Sequence, residues 1–444
     1  MTFFSRFVSD IQRIMPNGGV DFHGTKVPLK LRSFIADAPA RSFILNHRGH
    51  MSSRPCSKCK VSGRQSSRLN VFNSINNIPR TDQDYLNCMD REHHKEGRSP
   101  LSSLPLGMVS QVPFEYMHLV CLGVTKKLLA AWICGKYPYF PKLNDHAISI
   151  MSARLSICRE YCPSEFGRRP RPVSLFQKYK ATEFRQFLLY SGPVVTYGIL
   201  HDSAYKHFLF LHAAMRILVS ESPSPQFLNA AEAALRNFVL HSEELYGSTF
   251  ASYNVHGLPH LANNVRHLGN LDSFSAFPFE SNMRIFRKFF RKSSQPLQQF
   301  SNRMAEIHFQ KTHHPRVQVS SIDVSMPLRD GTDIPRYHKI RINGILFAIE
   351  ARDNCCILRD GTICIIYEIC QQDSTIRLGV KPFLQVDNFY DVGIPSSSVR
   401  YFRCTGLGEI NYINPHQISV KCFRIPLPEE DTFAVAAIIH LENT

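Results

Sequence analysis

The chain has 444 residues, with 52 Lys and Arg against 36 Asp and Glu, which gives a net charge of +16. One hydrophobic core rarely extends over more than roughly 250 to 300 residues, so we expect several domains. The positive charge favours nucleic acid, or another polyanion, as the partner over a membrane surface. No uninterrupted apolar run reaches the roughly 18 residues of a membrane span, so the composition predicts a soluble protein.

Residues 1 to 49 are predicted to contain a helix, a strand and a second helix. The helical spacing at the start is carried by four apolar residues, Phe3, Phe7, Ile11 and Ile14. The run VPLKLRSFIAD, residues 27 to 37, is typical of a buried strand that ends at Asp37, and Pro39 then fits the first turn of a helix. There is no signal-peptide cleavage site, and 13 cysteines without a secretory signal indicate a reducing compartment.

Residues 50 to 113 are polar, basic and weakly periodic, which predicts a loop-rich module stabilised by a metal. Cys56 and Cys59 have the spacing of half a tetrahedral zinc site, because two intervening residues let both thiolates reach one ion from a tight turn. His50, His93 and His94 are the candidates for the remaining ligands of a structural Zn²⁺. The alternative is a pair of free thiols with exposed histidines.

Residues 114 to 253 are predicted to form an all-helical domain. Helical periodicity covers residues 115 to 135, 148 to 162, 174 to 199, 201 to 220 and 226 to 246. Glu115 and His118 are three residues apart on the first turn, so they can hydrogen-bond or share a metal. The alternative is that Glu115 only stabilises the positive end of the helix dipole.

The segment NVHGLPH, residues 254 to 260, resembles a zinc-protease helix because its two histidines are four residues apart. It lacks the glutamate of that motif and contains Pro259, so we expect His256 and His260 to be packed and hydrogen-bonded. Asn264 and His267 share a helix face with His260, which indicates a polar pocket beside Arg266.

Residues 254 to 316 contain a basic helix with a single acid near its start. In FPFESNMRIFRKFFRK, residues 277 to 292, Glu280 shares a face with cations, and an apolar stripe lies apart from that face. The cations are Arg284, Arg287 and Arg291, with Lys288 beside them; the stripe is Phe279, Met283, Phe286 and Phe290. Either Glu280 pairs with Arg284 on a surface helix, or its carboxylate faces a polyanion through a divalent metal. A further helix is predicted from near Pro296 to Glu306.

Residues 317 to 444 change to short β-rich runs separated by Gly, Asn and Asp turns. They predict a small β domain resembling a barrel, for which we expect a structural role and no site residue.

Four ordered blocks resemble one family. They are FIADAPARSFI followed by GH and CSKC, then RTDQDYLNCMDREHHKEGRSPL, then FEYMHLVCLGVTKKLL, and finally NVHGLPHLANNVRHLGNLDSFSAFPFES. Together they are similar to the transposases of CACTA (En/Spm-type) DNA transposons in the form found in animal genomes, and the match covers nearly the whole chain. The resemblance implies a mixed α/β protein with an RNase H-like core that an all-helical insertion interrupts. It also implies three acids that bind two divalent ions, Mg²⁺ or Mn²⁺.

The resemblance assigns roles to particular residues. Asp37 matches the second acid of the family and Glu280 the third. Glu115 to His118 matches a motif of Asp, two residues and His, with Glu in place of the shorter Asp. Paired ions bound by such acids activate water or a DNA 3′ hydroxyl in phosphoryl displacement. The cations predicted to hold the DNA backbone are Arg284, Arg287, Lys288, Arg291, Lys292 and Arg266.

The first acid of the family is not matched. It belongs on a strand before Asp37, whereas Asp10 lies in a predicted helix and Asp21 in a turn. We therefore expect an incomplete, N-terminally truncated RNase H-like core in a transposase-derived protein that binds double-stranded DNA with impaired catalysis. The alternatives are a truncated copy of an active transposase, or an interaction scaffold without DNA affinity. A DNA partner further predicts nuclear residence, a dimer or higher oligomer, and no small-molecule substrate.

Overall fold

The structure, a computed structural model, describes residues 2–137, 139–313, 322–328 and 334–440. The α-helices are α1 Ser5–Ile14, α2 Ala38–Ile44, α3 Asp82–Leu86, α4 Lys126–Cys134, α5 Asp145–Tyr161, α6 Ala181–Gln186, α7 Gly192–Thr196, α8 Asp202–Val219, α9 Pro225–Tyr246, α10 Tyr253–Gly257, α11 His260–Leu268, α12 Phe277–Phe289 and α13 Pro296–His313. The strands are β1 Val20–Phe22, β2 Thr25–Val27, β3 Arg64–Ser66, β4 Leu69–Val71, β5 Ile322–Leu328, β6 Arg336–Ile342, β7 Ile345–Ala348, β8 Cys355–Leu358, β9 Ile363–Gln372, β10 Thr375–Asn388, β11 Tyr401–Leu407, β12 Asn411–Ile413, β13 Ile418–Pro426 and β14 Thr432–Ala437. The predicted mixed α/β class is confirmed.

A helix packed inside the fold, the central helix, has Glu115 and His118 at its start. It begins as a π-helical segment, Met117–Thr125, and continues directly as α4. By length and composition Met117–Cys134 could cross a membrane, but 61% of it is buried inside the fold, as is typical of a core helix. It packs against α10 so closely that a Cβ on Gly257 would lie 2.5 Å from Leu119 Cδ1.

The predicted helical region is confirmed, and its helices share one hydrophobic core. α5, α8 and α9 cover the expected segments, whereas the segment predicted as one helix at 174 to 199 consists of shorter pieces. Those pieces are a 3₁₀ helix Val173–Lys178, then α6, a π-helical turn Phe187–Ser191 and α7. The largest buried side chain of this core is Trp132.

The strand predicted at residues 27 to 37 is wrong beyond β2. β2 pairs only with β1, and residues 28 to 37 are not part of any sheet. Their backbone is held instead by Gln111, whose carbonyl accepts from Phe34 N and whose side-chain amide donates to Leu31 O and Arg32 O. An apolar run needs a neighbouring strand to complete a ladder, and the described residues before 314 contain only the β1–β2 and β3–β4 hairpins. An RNase H-like sheet is therefore not seen among them.

The C-terminal region is not the small closed barrel that we expected. The strands from β5 to β14 form one ten-stranded antiparallel sheet. β10 is long enough to pair with β9, β11 and β12, which folds the sheet back strongly, while β5, β7 and β12 lie at its margins. Thus the predicted β runs are confirmed, but short spacing between strands did not determine how many would join one sheet.

The sheet is joined to the helices through buried polar groups. The fully buried Arg216 of α8 donates to the carbonyl oxygens of Val399 and Ala437 at 2.8 and 3.1 Å. Lys421 of β13 is 2% exposed and lies 2.6 Å from Asp353 and 2.7 Å from Glu165, which precedes α6. These pairs fix the sheet against the helical core without contacting the candidate sites.

Candidate metal centre and acidic site

Four side chains from two segments that are distant in the sequence converge on a site that could hold a metal ion. The ligand atoms of Cys56, Cys59, His256 and His260 all lie within 4.8 Å of one another. Cys56 Sγ is 3.6 Å from His260 Nε2, and Cys59 Sγ is 3.3 Å from His256 Nε2. Two thiolates and two imidazoles form the donor set of tetrahedral zinc sites. The arrangement therefore fits a metal ion such as zinc.

Local structure explains how each ligand pair is presented. The turn at Cys56 and Cys59 is fixed by Arg80, whose Nε donates to both of their carbonyl oxygens at 3.0 and 3.1 Å. Arg80 is itself buried and paired with Asp90 at 2.7 Å. On the other side, Pro259 is the N-cap of α11 in the turn that follows α10, so that His256 and His260 come from two short helices. The proline that argues against one continuous helix therefore belongs to the site's geometry.

The two thiols differ in acidity because they share one buried space. Burial opposes ionisation of Cys56, but hydrogen bonding with Cys59 and the nearby charge of His260 outweigh it and hold the pKa of Cys56 well below its usual value. Hydrogen bonding with the Cys56 sulfur, together with burial, raises the pKa of Cys59. A thiolate is the form that binds metal. The cluster thus favours one thiolate even before an ion is added.

The three histidines that we predicted as zinc ligands lie elsewhere. His50 is half-buried, with its ring 6.1 Å from that of Tyr253. His93 Nδ1 lies 2.7 Å from the carbonyl oxygen of Arg54, and His94 Nδ1 lies 3.1 Å from that of Asp90. Among the described residues, none of the three belongs to the metal-binding group. Proximity in sequence favoured them, whereas folding brings α10 and α11 to the cysteines.

A second constellation is organised by the buried carboxylate of Glu115, which is 1% exposed. Its oxygens accept from Met117 N and His118 N at 2.7 and 2.9 Å, at the start of the central helix. They also accept from Ala276 N at 2.9 Å, where α12 begins, and lie 2.7 Å from His118 Nδ1. Glu115 therefore joins two helix starts and orients one imidazole, which leaves Nε2 of His118 for another partner.

The acids predicted from the resemblance lie within electrostatic reach of that imidazole. The hydrogen bond that His118 Nδ1 donates to Glu115 raises the pKa of His118 against the effect of burial, and the carboxylates of Asp37 and Glu280 raise it further. Asp37 is half-buried and caps α2 by accepting from Ala40 N at 2.8 Å. Glu280, one turn into α12, is exposed. The charges of Asp37 and Glu280 therefore act on His118, although among the described residues these acids do not belong to a group whose ligand atoms are close enough to hold one ion.

The environment of α12 differs from the expectation for its apolar face. None of its residues is buried; Phe279 is 58% exposed and Met283 48%. Phe286 and Phe289 are partly covered by Phe300 of α13 at ring distances of 5.1 and 6.0 Å. Phe277, at the start of α12, packs on the helical core with its ring 5.8 Å from that of Tyr116. The predicted stripe farther along α12 stays exposed because a core stripe needs a surface to pack on.

The basic residues predicted to contact DNA fall into two groups. The exposed ones pair with no acid in the described part of the chain, so the possible Glu280–Arg284 pair is not formed there; they are Arg284, Arg287, Lys288, Arg291 and Lys292. Arg266 instead lies 2.7 Å from Glu232 and donates to Asn229 Oδ1 at 2.7 Å. Arg284, Arg287 and Lys288 lie on α12. Arg291 and Lys292 follow the end of the helix at Phe289, so the expected helical face that includes Arg291 is wrong, and Arg266 is held at the surface of α11.

Sequence reasoning missed two of the metal ligands although their signal was present. A pair of cysteines two residues apart and a pair of histidines four apart are both recognised zinc half-sites. The histidine pair was interpreted only as a possible catalytic protease motif. The expected partners of Cys56 and Cys59 were histidines nearer to them in the sequence. About 200 residues separate the half-sites here, in contrast to the short spacers of zinc fingers, about 12 to 15 residues.

Comparison with known proteins bears on the sheet. Residues 322–439 match a family described as a domain of unknown function, DUF8592. No curated protein matches the chain. The matched residues lie outside both constellations, so a functional interpretation has to start from the side chains of the metal centre and the acidic site.

Proposed function

We propose that this chain is a transposase-derived protein that binds double-stranded DNA, with an acidic site related to metal-dependent DNA strand cleavage and transfer. The observation that carries the proposal is the joint action of Asp37 and Glu280 on His118, although these acids belong to distant segments. A titratable group whose pKa is shifted by charges from distant segments is a candidate for a functional site.

In this proposal the residues of the acidic site have distinct roles. Asp37 and Glu280 would hold Mg²⁺ or Mn²⁺, since carboxylate oxygen suits these ions. Such ions, when bound, activate a nucleophile and stabilise the leaving oxygen. Glu115 acts as a positioning residue, because its carboxylate holds His118 and the first backbone amide of α12. With Asp37 and Glu280 as the only family acids matched, we expect weak or absent cleavage by an incomplete RNase H-like core.

The metal centre has a structural role in this proposal. Its four ligands are a complete tetrahedral set for Zn²⁺, which leaves no position for a substrate. It would join the turn at Cys56 to α10 and α11. A DNA partner also implies nuclear residence and at least a dimer, and both stay predictions.

The proposed DNA contact consists of exposed cations on α12 and just after its end at Phe289. Arg284, Arg287, Lys288 and Arg291 are exposed and unpaired with acids in the described region. Each phosphate that such a cation neutralises contributes about 0.9 to the slope of log K against log salt. Four contacts would therefore add a slope of roughly 3.6, which makes the interaction easy to recognise.

The test measures duplex binding across a salt series and, in the same samples, Mn²⁺-dependent cleavage. Replacing Arg284, Arg287, Lys288 and Arg291 together with Gln should lower the affinity and flatten the salt slope. A matched control replaces four exposed cations of the helical region with Gln: Lys136, Lys142, Arg159 and Lys206. The control should bind as the unchanged protein does.

Asp37→Ala and Glu280→Ala separate binding from catalysis. We expect both variants to bind DNA, with little cleavage to lose. Cleavage by the unchanged protein that both substitutions abolish would instead indicate an active enzyme. Absence of salt-dependent binding would sink the DNA proposal and favour an interaction scaffold.

A further inference from the structure

A cavity of about 480 Å³ lies beside the metal centre, away from the acidic site. Its walls come from the segment after Cys59, from α9 and from α11, and Cys59 and His260 themselves form part of its lining. Small-molecule sites commonly have volumes of about 300 to 1,000 Å³. The polar pocket expected beside Arg266 is therefore present, and it is large enough for a nucleotide.

The charge balance of this cavity is positive. Its lining includes the arginines Arg80, Arg236 and Arg266, the buried Lys58, and the acids Asp82 and Glu232. Burial lowers the pKa of Lys58 to about 7, so the arginines carry most of the positive charge. Both acids are already engaged: Asp82 accepts from Ser110 N and Ser110 Oγ, and Glu232 pairs with Arg266. Arg80 and Arg266 are also paired, with Asp90 and Glu232, whereas Arg236 contacts only the oxygens of Ile75 and Asn76 and pairs with no acid among the described residues. Arg236 is therefore the cation through which the cavity favours an anion.

One buried donor in the cavity lacks a partner. Asn264 is 4% exposed, and its Nδ2 has no hydrogen-bond partner among the described residues. A buried amide N–H is nearly always paired in folded proteins. Asn264 lies one turn after His260 on α11, and both residues line the cavity. A ligand oxygen would satisfy this donor.

We propose that this cavity binds the phosphate of a nucleotide unit, either as a free nucleotide or as one unit of a nucleic-acid strand. Arg236 and Arg266 would supply charge, and the Asn264 amide would donate to an oxygen. Phosphate oxygens take several N–H donors, and charge-assisted hydrogen bonds to them are the strong ones. Because the cavity is separate from the acidic site, the proposal does not depend on the proposed function.

The metal centre should also affect ligand binding in the cavity. Cys59 and His260 contribute to its wall, so an ion that fixes these side chains would fix one side of the binding site. Loss of the ion should then weaken nucleotide binding.

The test uses calorimetric titration of the full chain with dAMP, inorganic phosphate and a short 5′-phosphorylated single strand. Asn264→Leu removes the amide donor at similar volume, and Arg236→Gln removes a charge at the edge of the cavity. We expect each to weaken binding by at least about tenfold, the effect of losing one charge-assisted hydrogen bond. Metal content and melting temperature identify any variant that misfolds. Arg159→Gln, at an exposed site outside the cavity lining, is the matched control.

The outcomes separate the two sources of the phosphate. Binding of dAMP that both variants weaken supports a free nucleotide, and binding of only the single strand with the same sensitivity supports a strand unit. The proposal is overturned if no probe binds, or if both variants bind as tightly as the control. The variant with Gln at Arg284, Arg287, Lys288 and Arg291 should keep this binding, which distinguishes the cavity from the proposed duplex contact.

Discussion

The metal centre and the acidic site are built in opposite ways. Cys56, Cys59 and His256 are 0 to 2% exposed, whereas α12, which carries Glu280, buries no residue at all. The turn that carries the two cysteines is held by the buried Arg80, which donates to the carbonyl oxygens of both. The acidic site depends on a single buried carboxylate, Glu115, for its link between the central helix and α12.

This difference separates what each site contributes to the protein. A buried centre adds its binding free energy to folding, because the unfolded chain has no preformed site. An exposed helix adds little to folding but leaves its charges available to a partner. Substitutions should therefore act mainly on stability at the metal centre and mainly on binding at α12, with Glu115 between these extremes.

The largest effect is expected at the metal ligands. His256→Ala removes one imidazole donor and leaves the sulfur of Cys59 without its partner at 3.3 Å. We expect loss of the bound metal, measured by elemental analysis of the purified protein. The free energy of unfolding should fall by about 4 kcal/mol or more, as for other losses of a structural metal. Urea denaturation checks this value.

His50→Ala is the control for the ligand assignment. His50 is half-buried and lies outside the metal-binding group of the described residues. Its substitution should keep the metal content and most of the stability. Retained metal in His256→Ala together with lost metal in His50→Ala would restore the ligand set that sequence proximity favours.

A smaller but still substantial effect is expected at Glu115. Glu115→Ala leaves the backbone amides of Met117, His118 and Ala276 without their acceptor in a buried place. An unsatisfied buried donor costs about 1 to 3 kcal/mol, and some of these amides can turn to water. We therefore expect the free energy of unfolding to fall by roughly 2 to 4 kcal/mol.

The same substitution tests whether the two sites are independent. Metal content of Glu115→Ala should remain that of the unchanged protein, because the metal ligands do not contact Glu115. Loss of metal together with the loss of stability would show that the metal centre and the acidic site fold as one unit and are not independent.

The helices were largely predictable from the sequence, because their signals are local. Periodicity and caps located α5, α8 and α9 to within a few residues. The segment from 28 to 37 failed because an apolar run becomes a strand only beside another strand. The closed barrel failed for a similar reason, since strand pairing is set by contacts distant in sequence.

The site residues also differ in whether their contacts are local in the sequence or formed by tertiary folding. Glu115 and His118 are three residues apart, so their contact could be predicted from helix geometry. The connection of Glu115 to the start of α12, and that of Cys59 to His256, depend on tertiary folding. The resemblance to a family indicated Asp37 and Glu280, but spacing alone would not have paired them.

The smallest effect is expected in the pH dependence of stability at His118. The hydrogen bond with Glu115, and the charges of Asp37 and Glu280, raise the pKa of His118 in the folded protein. A raised folded pKa means that the folded state binds the proton more tightly than the unfolded state, whose histidine pKa is about 6.5. The resulting stabilisation is complete below about pH 6.5 and is lost as pH rises through the folded pKa.

The measurement compares the unchanged protein with His118→Gln, which is neutral at every pH, in urea denaturation from pH 6 to pH 9 without added Mg²⁺ or Mn²⁺. Other titrating groups cancel in the difference between the two free energies of unfolding, unless they couple to His118. We expect that difference to decrease as pH rises. Glu280→Gln should reduce the pH dependence only slightly, because Glu280 is exposed and its charge is screened by water. A difference that stays constant with pH would mean that the carboxylates do not act on this imidazole, and the acidic site would then reduce to a buried glutamate that joins two helix starts.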